Sequence, residues 1–292
     1  MELLLQQILA GLATGTIYAC IALAIVMTYL AIGHLNFAQG EMAMFSTFIA
    51  WQLMQWGVPY WIAFLATIAL SFLFGVLIER VVLRPIQHAP ILSHVAVFIG
   101  LLAILNSLAG FIWNFTVKPF PTPFGTASLF DSGFISAHQA GMIVVTLAVL
   151  VFLYAFFRFT RIGLAMRAAA ADPVSARLVG IRVGWMMALG WGMASAIGAI
   201  AGMMIAPVVF LEPNMMLGIL LYGFAGAVLG GLASPLGAVC GGLIVGVVEN
   251  LAGTFIPVIG GELKFTIALV VIVAVLVMKP QGLFGRPVLN RV

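Results

Sequence analysis

The feature that most constrains this chain is a series of long stretches that contain no Asp, Glu, Lys or Arg. A transmembrane helix needs about 20 predominantly apolar residues to cross the hydrocarbon layer. Several of the stretches are long enough for one pass, and some are long enough for two. They predict an all-α protein that crosses a membrane many times. The charge-free stretches are 3–40, 42–78, 85–117, 132–157, 183–211, 213–248 and 265–278.

The composition excludes most other classes of protein. Of the 292 residues, 64% are apolar and only 7% are charged, whereas soluble domains carry about 25% charged residues. So few charges are not enough to cover a soluble enzyme. The net charge of +4 is small and dispersed, which argues against nucleic-acid binding. The two cysteines and four histidines show neither a disulfide framework nor metal-ligand spacing.

We expect about eight or nine transmembrane helices in a single domain, residues 1–292, with a short or discontinuous second helix. That second segment, 36–55, opens on a polar run that ends at Glu41. It either crosses as a tilted helix or re-enters with irregular backbone, which is tolerated only where protein or water satisfies it. The side of the N-terminus depends on this choice. The predicted spans are 5–30, 36–55, 60–79, 92–113, 138–157, 185–211, 216–232, 236–256 and 263–279.

The distribution of Lys and Arg predicts the orientation in the membrane. Given these spans, all basic residues except Lys118 and Lys264 can share one side. Cytoplasmic loops carry an excess of Lys and Arg. The pattern therefore places loop 158–184 and the C-terminus in the cytoplasm, and loop 114–137 outside.

Two carboxylates lie inside apolar segments, Glu41 and Glu249. A charged side chain there costs at least about 3 kcal/mol on insertion scales, so each must be paired, protonated or facing water. For Glu249, a helix–helix hydrogen bond and a place on a pathway are both open. Glu41 follows Asn36, Gln39 and Gly40, and a lone structural carboxylate would not need these polar neighbours. We therefore predict that Glu41 lines a pathway.

Loop 158–184 predicts two short helices. Residues 160–171 are good helix formers, Asp172 is a suitable N-cap and Pro173 suits the first helical position. A second helix, 173–179, then ends at Gly180, and helical spacing places Val174, Leu178 and Ile181 on one face. Because two turns are not stable alone, this helix packs either on its own bundle or on a partner protein.

Small residues are concentrated in the second half of the chain. Gly-x-x-x-Gly spacing lets helix backbones approach closely in lipid. Tight packing within the bundle and a moving dimer interface both fit this pattern. The pairs are Gly11/Gly15, Gly198/Gly202, Gly226/Gly230, Gly237/Gly241 and Gly242/Gly246.

Three motifs resemble a known family. The segment Gly33-His-Leu-Asn-Phe-Ala-Gln-Gly-Glu41 resembles the Asn-Phe-Ala-x-Gly-Glu signature of LivH-type permeases, subunits of branched-chain amino acid ABC importers. The loop from Arg161 through Asp172-Pro to Leu178-Val-Gly-Ile181 is similar to that family's ATPase-coupling loop, although Ala169-Ala-Ala171 replaces the Glu-Ala-Ala of the broader pattern. The ending Lys279-Pro-Gln-Gly-Leu-Phe-Gly285 is similar to its C-terminal motif, with Lys279 where Arg is more usual.

The resemblance implies a non-enzymatic subunit of a bacterial inner-membrane importer. The expected partners are a second, LivM-like permease, two ATPase subunits and a periplasmic binding protein. Loop 114–137 is either the docking surface for the binding protein or only a rigid extracellular connector. None of the three lysines follows glycine, so the chain has no Walker A loop. ATP is therefore expected on the partner subunits, and no cofactor or metal on this chain. The expected solutes are branched-chain amino acids or related small solutes, moved by alternating access.

An alternative reading of the whole chain is a stand-alone ion-coupled transporter or channel with Glu41 as its ion site.

The sequence gives two sets of candidate residues. The candidate pathway residues are Asn36, Phe37, Gln39, Gly40, Glu41 and Glu249, and the candidate ATPase-coupling residues are Arg167, Asp172, Arg177, Leu178 and Gly180.

Overall fold

The computed structural model describes residues 2–125, 135–256, 264–279 and 281–285. In these ranges the regular structure is helical apart from isolated bridge residues, among them the pair Lys118 and Leu211. The predicted all-α class is therefore confirmed. The α-helices are α1 (Glu2–Ile32), α2 (Gln39–Gln55), α3 (Tyr60–Ile78), α4 (Ile91–Trp113), α5 (Ala137–Phe159), α6 (Arg161–Ala171), α7 (Pro173–Leu178), α8 (Val183–Val209), α9 (Met216–Gly230), α10 (Pro235–Phe255) and α11 (Lys264–Met278).

Each of the nine predicted spans corresponds to one helix. Within the described residues, α1, α3, α4, α5, α8 and α10 are long and apolar enough to cross a membrane, and α9 and α11 are shorter apolar helices. The short second helix is confirmed, because α2 has 17 residues and follows a non-helical connection at 33–38. A polytopic membrane protein is the architecture that these lengths predict.

The chain forms two compact units. Unit 1 comprises Met1–Val26, Thr122–Ile143 and Leu217–Val292, and unit 2 comprises Met27–Pro121 and Val144–Met216. The part of loop 114–137 at 126–134 lies outside the described residues, as do Arg286 and Arg291.

In unit 1, glycines allow the close packing of α1, α9 and α10. A Cβ on Gly246 would lie 2.3 Å from the Cα of Gly15 on α1, and one on Gly226 of α9 would lie 2.7 Å from the Cα of Gly242 on α10. Real Cβ atoms do not approach backbone this closely. The glycine pairs therefore act here in tight helix packing within the unit.

The described end of the C-terminal motif packs against the end of α9. The backbone N–H groups of Leu283 and Phe284 donate to the carbonyl oxygens of Leu229 and Gly230, at 2.7 and 3.2 Å. Helix ends leave carbonyl groups without partners inside the helix. The motif supplies donors for two of them.

In unit 2, α8 is the central helix. A Cβ on Gly75 of α3 would lie 2.4 Å from the carbonyl oxygen of Trp191 on α8. The Trp191 ring is fully buried and stacks on Phe98 of α4, with 6.0 Å between ring centroids. Together with Ile78 and Met42, these side chains form the apolar core that holds α2, α3, α4 and α8.

Candidate functional site

The connection between α1 and α2 is built around Asn36. Its side-chain oxygen accepts a hydrogen bond from the backbone N–H of Ala38 at 3.0 Å. Its Nδ2 donates to Oε1 of Gln39 at 3.2 Å. These bonds satisfy polar groups that a turn in an apolar environment would leave unpaired. Asn36 therefore shapes the chain just before α2 begins.

Gln39 joins the first turn of α2 to the middle of α8. Its Nε2 donates to the carbonyl oxygen of Ala194 at 3.0 Å. Gly198 lies one turn further along α8, where a Cβ would come within 2.8 Å of the same Nε2. The Gly198/Gly202 pair thus makes room for α2. Gly40, the residue after Gln39, is buried as well.

Glu41 lies in a polar group with Asn106 of α4, a residue that the sequence motifs do not single out. Nδ2 of Asn106 lies 3.5 Å from Oε2 of Glu41, 2.9 Å from the carbonyl oxygen of Pro213 and 3.1 Å from Oδ1 of Asn214. One amide nitrogen with two hydrogens thus serves three acceptors. The available signal was a lone amide in the predicted span 92–113.

The buried polar residues Asn36, Gln39 and Glu41, which we call the polar cluster, are closed to solvent in this structure. Asn36, Gln39 and Glu41 are at most 2% exposed, whereas Phe37 is 38% exposed. The structure therefore buries all three polar candidates in unit 2, with Asn36 bonded to Gln39 and Glu41 beside Asn106, and leaves Phe37 at its surface. A solute reaches these polar groups only if α2 or its neighbours move.

Glu249 belongs to unit 1 and has its own partners. The hydroxyl of Tyr18 on α1 donates to Oε2 of Glu249 on α10 at 2.7 Å. The Tyr18 ring stacks on Tyr222 of α9, with 4.8 Å between centroids, and Asn250 donates to Oγ1 of Thr14 at 3.0 Å. The helix–helix hydrogen bond considered for Glu249 is therefore present, and a role in a pathway stays a prediction.

Loop 158–184 has the capped helices that the sequence predicts. Oδ1 of Asp172 accepts from the backbone N–H groups of Val174 and Ser175, at 2.9 and 3.2 Å. The Ser175 hydroxyl donates to the other carboxylate oxygen. The hydrogen bond from the Ser175 side chain, followed by the two backbone donors, lowers the pKa of the Asp172 carboxyl. The N-cap at Asp172 and the left-handed Gly180, with φ of +85°, are confirmed.

One side of helix α7 packs against α6 and α8, and the other side is exposed. Its Ala176 is buried with Ala169 of α6 and Val183 of α8. Leu178, by contrast, is 83% exposed and Val174 is 67% exposed. The candidates Arg167, Asp172 and Arg177 are also exposed.

One expectation for this loop was wrong. Ile181 packs on the buried cluster with Val183, so it does not share a face with Val174 and Leu178. The left-handed Gly180 turns the chain back toward α8, and the helical spacing used for the prediction stops at Leu178.

Comparison with known families identifies the class of protein. A family model described as "branched-chain amino acid transport system / permease component" matches residues 7–278. The chain belongs to this family. The predicted LivH-type resemblance is confirmed, and the chain is a multi-pass membrane permease with a non-enzymatic role.

Named relatives cover almost the whole chain. One is the high-affinity branched-chain amino acid transport system permease protein LivH of Salmonella typhimurium, which is 31% identical over 305 residues, covering 99% of this chain and 97% of the relative. Another is the high-affinity branched-chain amino acid transport system permease protein BraD of Pseudomonas aeruginosa. It is 33% identical, and the match covers 99% of this chain and 98% of BraD.

A solved structure shows the same fold. PsaBC from Streptococcus pneumoniae, solved in complex with a Fab, superposes with a TM-score of 0.52. The match covers 93% of this chain and 91% of that chain at 13% sequence identity. At this identity the likeness concerns the fold alone.

Proposed function

We propose that this chain is a permease subunit of an ABC importer that moves branched-chain amino acids into the cytoplasm across the bacterial inner membrane. The family and the names of its relatives support the substrate class. The proposed partners are a LivM-like second permease, two ATPase subunits and a periplasmic binding protein. ATP is used by the ATPase subunits, and this chain needs no cofactor of its own. Residues 1–292 act as one permease domain.

The observation that carries the coupling role is the bare apolar side of α7. Leu178 and Val174 are exposed on a helix of six residues in a loop that also exposes Arg167 and Arg177. A two-turn helix needs support from tertiary contacts, and Ala176 supplies it on one side only. An apolar groove on an ATPase subunit would cover the other side.

The charge pattern supports the orientation. Arg80, Arg84 and Arg182 lie where α3 ends and α8 begins, which we call the basic end of unit 2. The positive-inside rule places this end, loop 158–184 and the C-terminus in the cytoplasm.

Contacts within unit 2 suggest that α2 crosses rather than re-enters. The last turn of α1 reaches the basic end, where His34 contacts His94 in the first turn of α4. Helix α2 then runs the other way, from Ala194 toward the far end of α4, where Trp113 donates to Gln52 at 2.9 Å. The N-terminus would then lie in the periplasm.

For transport we propose alternating access. ATP-driven closure of the ATPase pair displaces α7, and Ala176 transmits the displacement to α8. Helix α2 is bonded to α8 through Gln39, so the two helices move together. The closed polar cluster around Asn36 and Glu41 then opens toward one side of the membrane.

The test compares two replacements of Leu178 in the complex reconstituted with both permeases, both ATPase subunits and the binding protein. Leu178→Asp places a charge against the proposed groove and is expected to abolish stimulation of ATP hydrolysis by loaded binding protein. Leu178→Met, the matched apolar control, is expected to retain it. Basal hydrolysis persists in both. Equal stimulation in both variants, with full co-purification of the ATPase, would contradict a coupling role for α7.

A further inference from the structure

Helix α3 continues at its cytoplasmic end into a π-helical turn. This turn sets the relative positions of two opposite charges, Glu79 and Arg84. The turn covers Glu79–Leu83, and the backbone N–H of Arg84 bonds to the carbonyl oxygen of Glu79. In an α-helix, residues five apart are about 140° apart around the axis. The i→i+5 bond of a π turn brings them onto the same face instead. Glu79 and Arg84 therefore point to the same side of the helix.

Both residues line a small cavity at the basic end of unit 2. The other lining residues are Gln87, His94 of α4, Met187 of α8 and the apolar Leu83. The cavity holds about 50 Å³, whereas a single water needs roughly 10–15 Å³ in the same measure. Arg84 and Gln87 are exposed, so the cavity opens on their side. It has room for a small polar head group, with space outside for a side chain.

One oxygen of the carboxylate in this cavity has no hydrogen-bond donor from the described residues. Glu79 is 3% exposed, and within the described residues its Oε2 has no hydrogen-bond partner. The nearest cation, Nε of Arg80, is 3.7 Å away, and the Arg80 guanidinium lies over the ring of Trp185 at 3.8 Å. A buried carboxylate oxygen without a donor is costly. An ammonium group supplied by a ligand would satisfy it.

The other polar groups select the rest of the ligand. The guanidinium of Arg84 is a strong partner for a carboxylate. Within the described part of the chain, His94 bonds through its Nδ1 to the carbonyl oxygen of Pro90 at 3.3 Å, which leaves Nε2 for a ligand. A negative group deep in the cavity and a positive group at its mouth match a molecule with an ammonium and a carboxylate close together.

We propose that this cavity binds the head group of a free amino acid from the cytoplasm and that binding slows import. The amino-acid class and the cytoplasmic side rest on the proposed function. The link to transport is Met187, which lines the cavity and also packs against the buried cluster that holds α7 on α8. A ligand that joins Glu79 to Arg84 and His94 favours the state in which the cavity is formed. It thereby opposes the movement of α8 that coupling requires.

The first experiment measures binding directly. The permease–ATPase complex, without binding protein, is dialysed against labelled isoleucine. Saturable binding is expected, and Glu79→Gln and Arg84→Gln should each weaken it at least about tenfold, because hydrogen bonds between charged groups are the stronger class. Arg158→Gln, which removes an exposed arginine outside the cavity, is the matched control. Binding that is unchanged in both cavity variants would overturn the proposal.

The second experiment measures regulation. Proteoliposomes that carry the whole importer are loaded with isoleucine, with isovalerate, which lacks the ammonium, or with isoamylamine, which lacks the carboxylate. Internal isoleucine alone should lower the initial rate of ATP-driven uptake, and Arg84→Gln and Glu79→Gln should relieve the inhibition. Equal inhibition in wild type and both variants, or none in wild type, would overturn the regulatory proposal.

Failure of the proposed function has a different signature. If vesicles without internal solute accumulate no branched-chain amino acid, the proposed function has failed, whereas the dialysis measurement still decides whether the cavity binds an amino acid. If Glu79→Gln does not assemble, Arg84→Gln supplies the result, because its side chain lies at the exposed rim.

Discussion

The side-chain nitrogen of Gln39 lies 3.0 Å from the carbonyl oxygen of Ala194, a residue 155 positions further along the chain. This bond joins the polar start of α2 to the interior of α8. It forms because α8 carries small residues on the face that meets α2. The two helices are therefore expected to act as one body during transport.

Replacing Gly202 tests how tightly these helices pack. A Cβ at this position would lie 2.3 Å from Oγ1 of Thr47 and 3.0 Å from the carbonyl oxygen of Ala43, both on α2. Gly202→Ala should therefore destabilise the permease by about 1–3 kcal/mol, the usual cost of overpacking. Gly184→Ala, in the first turn of the same helix and with open space at its Cβ, is the control. Thermal unfolding of the purified complex measures both, and equal midpoints would show that α2 and α8 pack loosely.

The polar cluster is expected to be needed for transport but not for assembly. Asn36→Ala removes the acceptor for the Ala38 N–H, and Glu41→Gln replaces the carboxyl group beside Asn106 with an amide. Each should lower ATP-driven uptake while the ATPase still co-purifies. Uptake at the wild-type rate in both variants would show that neither group is essential to the pathway.

Asn106 should act together with Glu41. Asn106→Ala is expected to lower uptake, and combining it with Glu41→Gln should add little, because groups in one network are not additive. Ser107→Ala, an exposed neighbour on α4, is the matched control. Fully additive losses in the double variant would show that the two residues act independently.

The turn after α7 gives a prediction about backbone conformation. Gly180 has φ of +85°, which costs a residue with a Cβ about 1–2 kcal/mol, whereas Asn tolerates this region better. Gly180→Val should therefore lower binding-protein-stimulated ATP hydrolysis, and Gly180→Asn should largely preserve it. If Val and Asn behave alike, the left-handed turn does not control coupling.

The cap of α7 should be insensitive to pH in the physiological range. Its hydrogen bonds lower the pKa of Asp172, so its charged form stabilises the helix above the ordinary carboxyl pKa. That contribution is lost only as pH falls through the lowered value. Asp172→Ala should reduce stimulated ATP hydrolysis by the same factor from weakly acidic to weakly basic pH. If the factor by which Asp172→Ala lowers stimulated ATP hydrolysis changes across this pH range, a group other than Asp172 causes the pH dependence.

Single cysteines test the orientation. In a background without Cys20 and Cys240, a cysteine at His88, between α3 and α4, should resist a membrane-impermeant maleimide in intact cells. A cysteine at Gln55, the last residue of α2, should react in intact cells. Both cysteines should react after permeabilisation. Both wild-type side chains are exposed. The reversed pattern of labelling would contradict the proposed sidedness.

The spans and the cap of α7 were predictable because both depend on local properties of the chain. A bilayer sets the length of an apolar helix, and the charge-free stretches follow that length. Asp172 caps its helix through residues two and three positions away. Such interactions can be inferred from the order of residues alone.

Other features depend on contacts through space. Asn106 meets Glu41 across 65 positions, and no spacing rule links them. Glu79 ends the predicted span 60–79, whereas the structure continues the helix into a π turn over Glu79–Leu83 that buries the glutamate. The wrong placement of Ile181 came from extending helical spacing past Gly180, where the backbone changes hand.

The most direct test of the account is solute uptake by purified components. Proteoliposomes with both permeases and the ATPase subunits, supplied with binding protein outside and ATP inside, should accumulate leucine, isoleucine or valine only when both are present. The permease pair without ATPase subunits should accumulate none under a proton or sodium gradient. Gradient-driven uptake by the permeases alone, or no uptake of any of the three by the complete complex, would contradict the assignment as an ATP-driven importer subunit.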